Sequence, residues 1–170
     1  MIRPMKLSDV PRVAEIHIFG WRSAFRGIVP DEVLFGRMSV QRSMERFEDS
    51  FAADNSHDTY VYDDGIIKGW TSAGPCRDED EPQAFEIGAI YIEPCMKDSG
   101  IGTKLVIFCE EIAAQRGYSK ICIWTLENNA LARAFYEKLG YVHDGAKKYM
   151  DNLYANSVRY KKLMKDVKIC

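Results

Sequence analysis

Apolar and polar positions recur at two different periods along this chain. Residues 2–6 alternate as a short strand. Val13, Ile16, His17, Gly20 and Trp21 then return every three or four residues, as on the buried face of a helix. Ser8 is placed to cap that helix, with Asp9 and Pro11 in its first turn. Gly27 and Pro30 break the pattern, and residues 31–51 resume it with Val33, Leu34, Met38, Met44, Phe47 and Phe51 apolar. After the polar stretch 54–58 the period drops to two. Residues 60–62 and 66–73 read as strands around the turn Asp63-Asp64-Gly65. Residues 75–83 are a polar connection, and residues 84–92 a long fourth strand. Residues 102–116 predict a helix stopped by Gly117, residues 119–126 a buried strand, and residues 130–139 a helix closed by Gly140. Residues 141–148 and 157–164 complete the list as two last strands.

That order predicts an α/β fold with a mixed sheet. The three-strand meander should be antiparallel, and the strand–helix–strand crossover from Phe85 to Leu126 parallel and right-handed. There is no internal repeat, low-complexity stretch or linker, so residues 1–166 are expected to form one domain and residues 167–170 a C-terminal tail.

Composition narrows the class without naming it. The 170 residues are 46% hydrophobic and 28% charged, enough for a sizeable core. A net charge of −2 gives no bulk attraction to nucleic acid or to an anionic membrane. No apolar run approaches the ~20 residues of a membrane helix, and the first residues lack a secretory signal pattern, so a cytoplasmic protein is expected. Five scattered cysteines without a C-x-x-C pair argue against a disulfide framework and a zinc site, and fit a reducing compartment; no metal is expected. Cys109 and Cys122 read as small buried hydrophobes, while Cys95 adjoins the loop described next.

The candidate chemistry lies between residues 84 and 141. The fourth strand runs into Lys97-Asp98-Ser99-Gly100-Ile101-Gly102, and a helix follows at once. Unpaired N–H groups and the partial positive charge of a helix start attract phosphate. Gly100 and Gly102 carry no Cβ to hold a ligand away, successive loop amides can form an anion nest, and Lys97 adds a charge. Neither a Walker loop nor a dinucleotide fingerprint fits, since Leu105 stands where the third glycine would be. A plain tight turn is the other reading of two glycines. Further on, Asn129, Ala132 and Tyr136 share one helix stripe. Leu131, Phe135 and Leu139 form another, which is expected to be the core face, so Tyr136 need not be a core aromatic; Asn129 can also serve as the N-cap.

These runs resemble the GCN5-related N-acetyltransferases. The loop 97–102 is similar to the family's [QR]-x-x-G-x-[GA], with Lys97 for the usual Gln or Arg. Asn129-x-x-Ala132-x-x-x-Tyr136-x-x-x-Gly140-Tyr141 is similar to its N-x-x-A-x-x-x-Y-x-x-x-G-F. Glu86-Ile87-x-x-Ile90-Tyr91-Ile92-x-Pro94 resembles the fourth-strand pattern, and residues 21–30 and 158–160 resemble further family pieces. The resemblance implies a single domain whose mostly antiparallel sheet splays between its fourth and fifth strands, flanked by about four helices. It implies acetyl-CoA as co-substrate, held by Ile90, Tyr91 and Ile92, by Lys97, Asp98, Ser99, Gly100, Ile101, Gly102 and Thr103, and by Asn129, Ala132 and Tyr136. A main-chain N–H near Ile92 would polarise the thioester. Tyr136 would protonate the departing thiolate. The base that frees the amine would be Glu86, with Glu93 second and a water relay as the third route; alternation sets the two carboxylates on opposite faces unless a bulge intervenes.

Trp21, Phe25 and Tyr62 are candidate walls for the acceptor, with ordinary packing as their alternative. His17 reads as a packed core histidine, Asp78-Glu79-Asp80-Glu81 as a solvated turn and Lys147-Lys148 as a solvated strand end. The resemblance implies an acceptor amine on a small molecule or a peptide; dimerisation is common in such families. The competing readings are a catalytically silent acyl-CoA-binding or sensing module and a nucleotide-binding α/β domain.

Overall fold

A computed structural model describes residues 1–53 and 57–164. The tail 167–170, Cys170 and part of the polar stretch 54–58 lie outside the described residues. Seven strands form one sheet: β1 (Ile2–Pro4), β2 (Asp58–Asp63), β3 (Ile67–Pro75), β4 (Phe85–Ile92), β5 (Lys120–Leu126), β6 (Val142–Met150) and β7 (Ala155–Leu163), in spatial order β1-β2-β3-β4-β5-β7-β6. Every neighbouring pair is antiparallel except β4–β5. The helices are α1 (Val10–Phe25), α2 (Val40–Ala52), α3 (Ile101–Gln115) and α4 (Ala130–Lys138).

The second helical region is not continuous. A π-helical turn (Glu32–Arg37) ends at Met38, whose extended backbone breaks the spiral, and Ser39 restarts it as the N-cap of α2 by accepting from Arg42 N–H at 3.2 Å. Ser8 does not cap α1. It lies in a 3₁₀ turn (Leu7–Asp9), where the Asp9 carboxylate accepts from Lys6 N–H at 2.8 Å and from Arg3 at 2.6 and 3.0 Å. Gly117 and Gly140 stop α3 and α4 with φ of +79° and +85°.

The sheet divides the core. On one face, Phe85, Ile87, Ile121, Ile123, Val158 and Tyr160 pack against α3 and α4. On the other, Val61, Ile67 and Trp70 pack against Val10, Val13 and Ile16 of α1, with Met44 and Phe47 of α2 beside them. His17 stands inside this second cluster as a core residue. Its Nδ1 meets Ser43 Oγ at 2.9 Å, the rings of Phe47, Trp70 and Tyr91 surround it, and burial lowers its pKa to about 4.

Two features of β4 position the site. First, β4 pairs with β5 only at Phe85–Ile121, Glu86–Cys122 and Ile87–Ile123; beyond that the strands part, and β5 goes on with β7 alone. Second, Ser72 faces Ala89 while Ala73 faces Ile87, so Gly88 is an extra residue in β4. The bulge shifts the alternation by one. Phe85, Ile87 and Ile90 turn toward α3 and α4, whereas Ala89 and Tyr91 turn toward α1. Glu86 and Glu93 therefore share a face.

Candidate active site

The loop after β4 is built from local bonds. A 3₁₀ turn (Pro94–Met96) follows Glu93, Ser99 Oγ donates to the Met96 carbonyl at 2.6 Å, and Lys97 Nζ reaches Ser23 Oγ on α1 at 2.8 Å. Asp98 and Gly100 adopt φ of +64° and +78°, the backbone reversal that turns successive amides the same way. The first bond of α3 runs from Lys104 N–H to the Gly100 carbonyl at 3.1 Å. Among the described residues, the N–H groups of Gly100, Ile101, Gly102 and Thr103 have no protein acceptor. Asp98 and Ser99 are exposed beside them.

The two glycines do different work. Space is open around Gly100. At Gly102 an added Cβ would stand 3.0 Å from Ile92 Cδ1 and 3.3 Å from Phe135 Cζ. Its missing side chain lets α3 approach β4 and α4, a packing role that the sequence reading assigned to the ligand.

Asn129 caps α4, accepting from Ala132 N–H at 3.2 Å. Ala132 is half-buried. The expected division of this helix is reversed at two positions: Leu131 is 82% exposed, and Tyr136 belongs to the core cluster at 8%. The short α4 lies with its Tyr136 stripe on the sheet, against Tyr141 and Tyr160. Its phenol has no hydrogen-bond partner among the described residues, and burial pushes its pKa above the usual range. Tyr91 comes from the other face. Its ring stacks on Trp70 and packs on α1 where Gly20 leaves room, and burial, then the nearby Tyr136, raise its pKa. The side chain of Tyr91 is thus a core aromatic.

The main chain of β4 completes the gap. Glu93 N–H donates to the Lys68 carbonyl at 2.8 Å, so Tyr91 also pairs toward β3, and the amides and carbonyls of Ile90 and Ile92 point toward the open side.

Trp21 and Phe25 meet edge to face at 4.9 Å and pack with Val29, Leu126 and Leu153, where the α1 end, β5 and the β6–β7 turn converge. A cavity of 580 Å³ opens beside them, bounded by residues 26–31 and Tyr154. Tyr62 does not join them. It faces α3, 5.5 Å beneath Lys104 Nζ, two strands from the gap on the opposite side of the sheet.

Of the candidate and acidic-run carboxylates, all but the exposed Glu79 are engaged. Glu86 is 4% exposed and takes Arg77 Nε at 2.8 Å and Nη2 at 2.7 Å, with His57 Nε2 at 3.7 Å. Burial opposes its charge, but the Arg77 hydrogen bonds and charge outweigh it and hold the pKa below the usual value. Glu93 bonds Arg12 Nη2 at 2.6 Å. The acidic connection is not a solvated turn. Arg159, 3% exposed, binds Asp78, Asp80 and Asp144, Trp124 Nε1 donates to Asp78 at 2.7 Å, and Glu81 pairs with Lys120 and Lys161. Nor is Lys148 a free strand end, since its Nζ lies 3.8 Å from the Trp124 ring centroid. Arg77 and Trp124 went unseen in the sequence, and Arg159 was noticed only within the run 158–160, because their partners are set by sheet order rather than spacing.

Comparison with known proteins gives this geometry a lineage. The family described as "Acetyltransferase (GNAT) family" matches residues 29–141. An uncharacterized N-acetyltransferase of Bacillus subtilis, YuaI, is 29% identical over 130 residues, covering 75% of this chain and 72% of its own length. A probable N-acetyltransferase of Mycobacterium tuberculosis is 28% identical over 145 residues, 85% of this chain and 80% of its own. The PaiA N-acetyltransferase of Thermoplasma acidophilum, solved with coenzyme A, superposes with a TM-score of 0.73 at 17% identity, over 96% of this chain and 98% of its own. A putative acetyltransferase of Salmonella typhimurium, yncA, solved with acetyl-CoA, gives 0.68 at 15% identity over 100% and 96%. Among the described residues no helix is long and apolar enough to cross a membrane. With its matched model spanning the parted strands, the loop and the Tyr136 helix, this chain belongs to the GNAT acetyltransferase family.

Proposed function

We propose that this protein moves an acetyl group from acetyl-CoA to a primary amine on a small molecule or peptide. One observation carries the reading. Unpaired amides at the start of α3 and an unpaired main-chain edge at Ile90 and Ile92 lie where β4 parts from β5, and the Tyr136 phenol, without a partner among the described residues, lies close to Tyr91 of the same strand. That donor set suits a diphosphate at one end and a thioester at the other. Residues 100–103 would hold the diphosphate on N–H groups, with Lys97 as a nearby cation and Asp98 and Ser99 shaping the turn. Ile90 and Ile92 would pair with the amide arm as an added strand does. Asn129 and Ala132 would border the ligand along α4.

An arm that starts at the loop runs back along β4 toward the bulge. Ile90 is then nearer the thioester than Ile92, by about 7 Å of strand. Its N–H is placed to donate to the carbonyl oxygen as negative charge gathers there. Tyr136, kept protonated by burial, donates to the sulfur as the bond breaks.

The amine must arrive neutral. An alkylammonium exceeds an ordinary carboxylate by about six pKa units, and Glu86 is lower still. Direct proton capture by Glu86 is therefore unfavourable, and the proton leaves through water. Trp21 and Phe25 wall the acceptor side; Tyr62 has no part in it.

The ion-paired state of Glu86 also gives weight to a second reading, a module that binds acyl-CoA without turnover. A thiol-release assay with acetyl-CoA and an amine panel, run beside calorimetric CoA binding, separates them. Thiol release that falls in Tyr136→Phe while binding holds supports the enzyme. Binding without release on every amine supports the module, and no binding overturns both.

A further inference from the structure

We propose that Cys76 and Cys122 form an oxidisable dithiol, which closes to a disulfide when a low-molecular-weight disulfide is present. Their sulfurs stand 3.0 Å apart although the residues are 46 positions apart in the chain. Closure needs a further approach of about 1 Å, to the ~2.05 Å of a bonded pair. Cys122 lies buried in β5, opposite Glu86 in the parallel register. Cys76 follows the end of β3, half-buried, with its N–H held by the Ala84 carbonyl at 2.9 Å. The pair thus bridges the β3–β4 connection and the closed end of the β4–β5 pair, away from the splayed gap.

The surroundings assign each sulfur a step. Cys76 is the more accessible of the two and meets the oxidant first. Cys122 is a buried, protonated thiol. The Cys76 thiolate attacks a sulfur of the small disulfide, forming a mixed disulfide and expelling one small thiolate, which takes up a proton. Cys122 then gives up its proton and attacks the Cys76 sulfur, forming the internal bond and expelling the second small thiol. Two protein thiols are oxidised, and one small disulfide is reduced to two thiols.

A metal site is the weaker reading of the same cluster. An Asp78 carboxylate oxygen lies within 4.8 Å of both sulfurs, but that carboxylate is already taken by Trp124 at 2.7 Å and Arg159 at 2.9 Å. The disulfide would pin the connection that carries both Arg77 and Asp78, and with them the partners of Glu86 and Arg159.

The test treats the full chain with oxidised glutathione, blocks remaining thiols by alkylation, and maps peptides without reduction. The expected product is a Cys76–Cys122 cross-linked peptide that dithiothreitol releases. Cys95 is exposed and reports that the oxidant reached the protein. In Cys122→Ser the second step is blocked, and Cys76 should hold glutathione stably. The proposal is overturned if Cys95 carries glutathione while Cys76 and Cys122 both return alkylated, or if wild-type Cys76 keeps its glutathione without a cross-link. The wild-type map decides the matter even where Cys122→Ser does not fold.

Discussion

The Arg77 guanidinium grips the Glu86 carboxylate through Nε and Nη2, at 2.8 and 2.7 Å, where β4 and β5 are still paired. The contact makes Glu86 a buried counter-ion. If water carries the amine proton, Glu86→Gln lowers kcat by less than about tenfold, against the 10²–10⁴ expected of a direct base. A pH–rate profile and kcat with a fixed amine check this.

Arg77→Ala leaves that carboxylate buried with only the backbone N–H of residue 77 at 3.3 Å and His57 Nε2 at 3.7 Å. Because Arg77 is itself solvent-facing, the loss at pH 7 should be only about 1–2 kcal/mol, read by urea unfolding. The folded pKa of Glu86 is lowered, so the pair's contribution is present above the unfolded value of about 4.3 and fades as pH falls through the folded one. The two proteins should converge in stability at acid pH.

Tyr136→Phe removes a hydroxyl without a partner among the described residues. Stability should change by less than about 0.5 kcal/mol, because no hydrogen bond is lost. The rate of acetyl transfer should fall about a hundredfold with CoA affinity unchanged. Stopped-flow thiol detection and calorimetry measure the two separately.

Gly100→Ala and Gly102→Ala should fail differently. At Gly100 a side chain meets only backbone strain, since φ is +78°, at a cost of about 1 kcal/mol. At Gly102 the Cβ presses on Ile92 and Phe135, an overpacking of about 1–3 kcal/mol. Thermal unfolding of the apo-protein ranks them, with Gly102→Ala the less stable.

Arg159→Met strips the shared cation from Asp78, Asp80 and Asp144. Asp144 keeps Lys161 at 2.6 Å and Asp78 keeps Trp124 and Lys148, so the variant should be destabilised at pH 7 yet still fold. All three carboxyls are lowered in the folded state, Asp80 to about 2. Their contribution stands above about pH 3.9 and disappears as pH drops toward 2. Wild type should lose stability over that window, and the variant far less, in acid titrations followed by circular dichroism.

His17 also makes stability fall with falling pH, over a higher window. It is neutral when folded down to pH about 4, yet takes a proton near 6.5 when unfolded. Stability therefore declines as pH falls from about 6.5 to 4, by at most about 3 kcal/mol. His17→Leu should flatten that slope in urea titrations.

Local signals were well preserved in this chain. The helix of Val13, Ile16 and His17, the stops at Gly117 and Gly140, and the loop from Lys97 to Gly102 each rest on residues within one turn or one strand. What spacing could not give depends on the sheet. On α4 Phe135 and Leu139 pack on the core as expected, but Leu131 and Tyr136 trade places, because only the seating of the helix on the sheet decides between two adjacent stripes. The acidic run at 78–81 looked solvated because its cations stand about 40 to 80 positions later, on β5 and β7. Tyr62 was misplaced because alternation fixes relative faces within β2, not which helix covers each.

The extra residue at Gly88 carries a consequence for insertions and deletions. Losing a paired residue beyond it, such as Ala89, with Phe85–Ile87 held on β5, would turn Tyr91 toward α3 and exchange the amides offered to the gap for those now committed to β3, whereas losing Gly88 itself would leave Ile87, Ala89 and Tyr91 on their present faces. The strand would keep its composition and lose its reading frame with respect to any visiting molecule. Length, more than apolar character, is what β4 cannot give up.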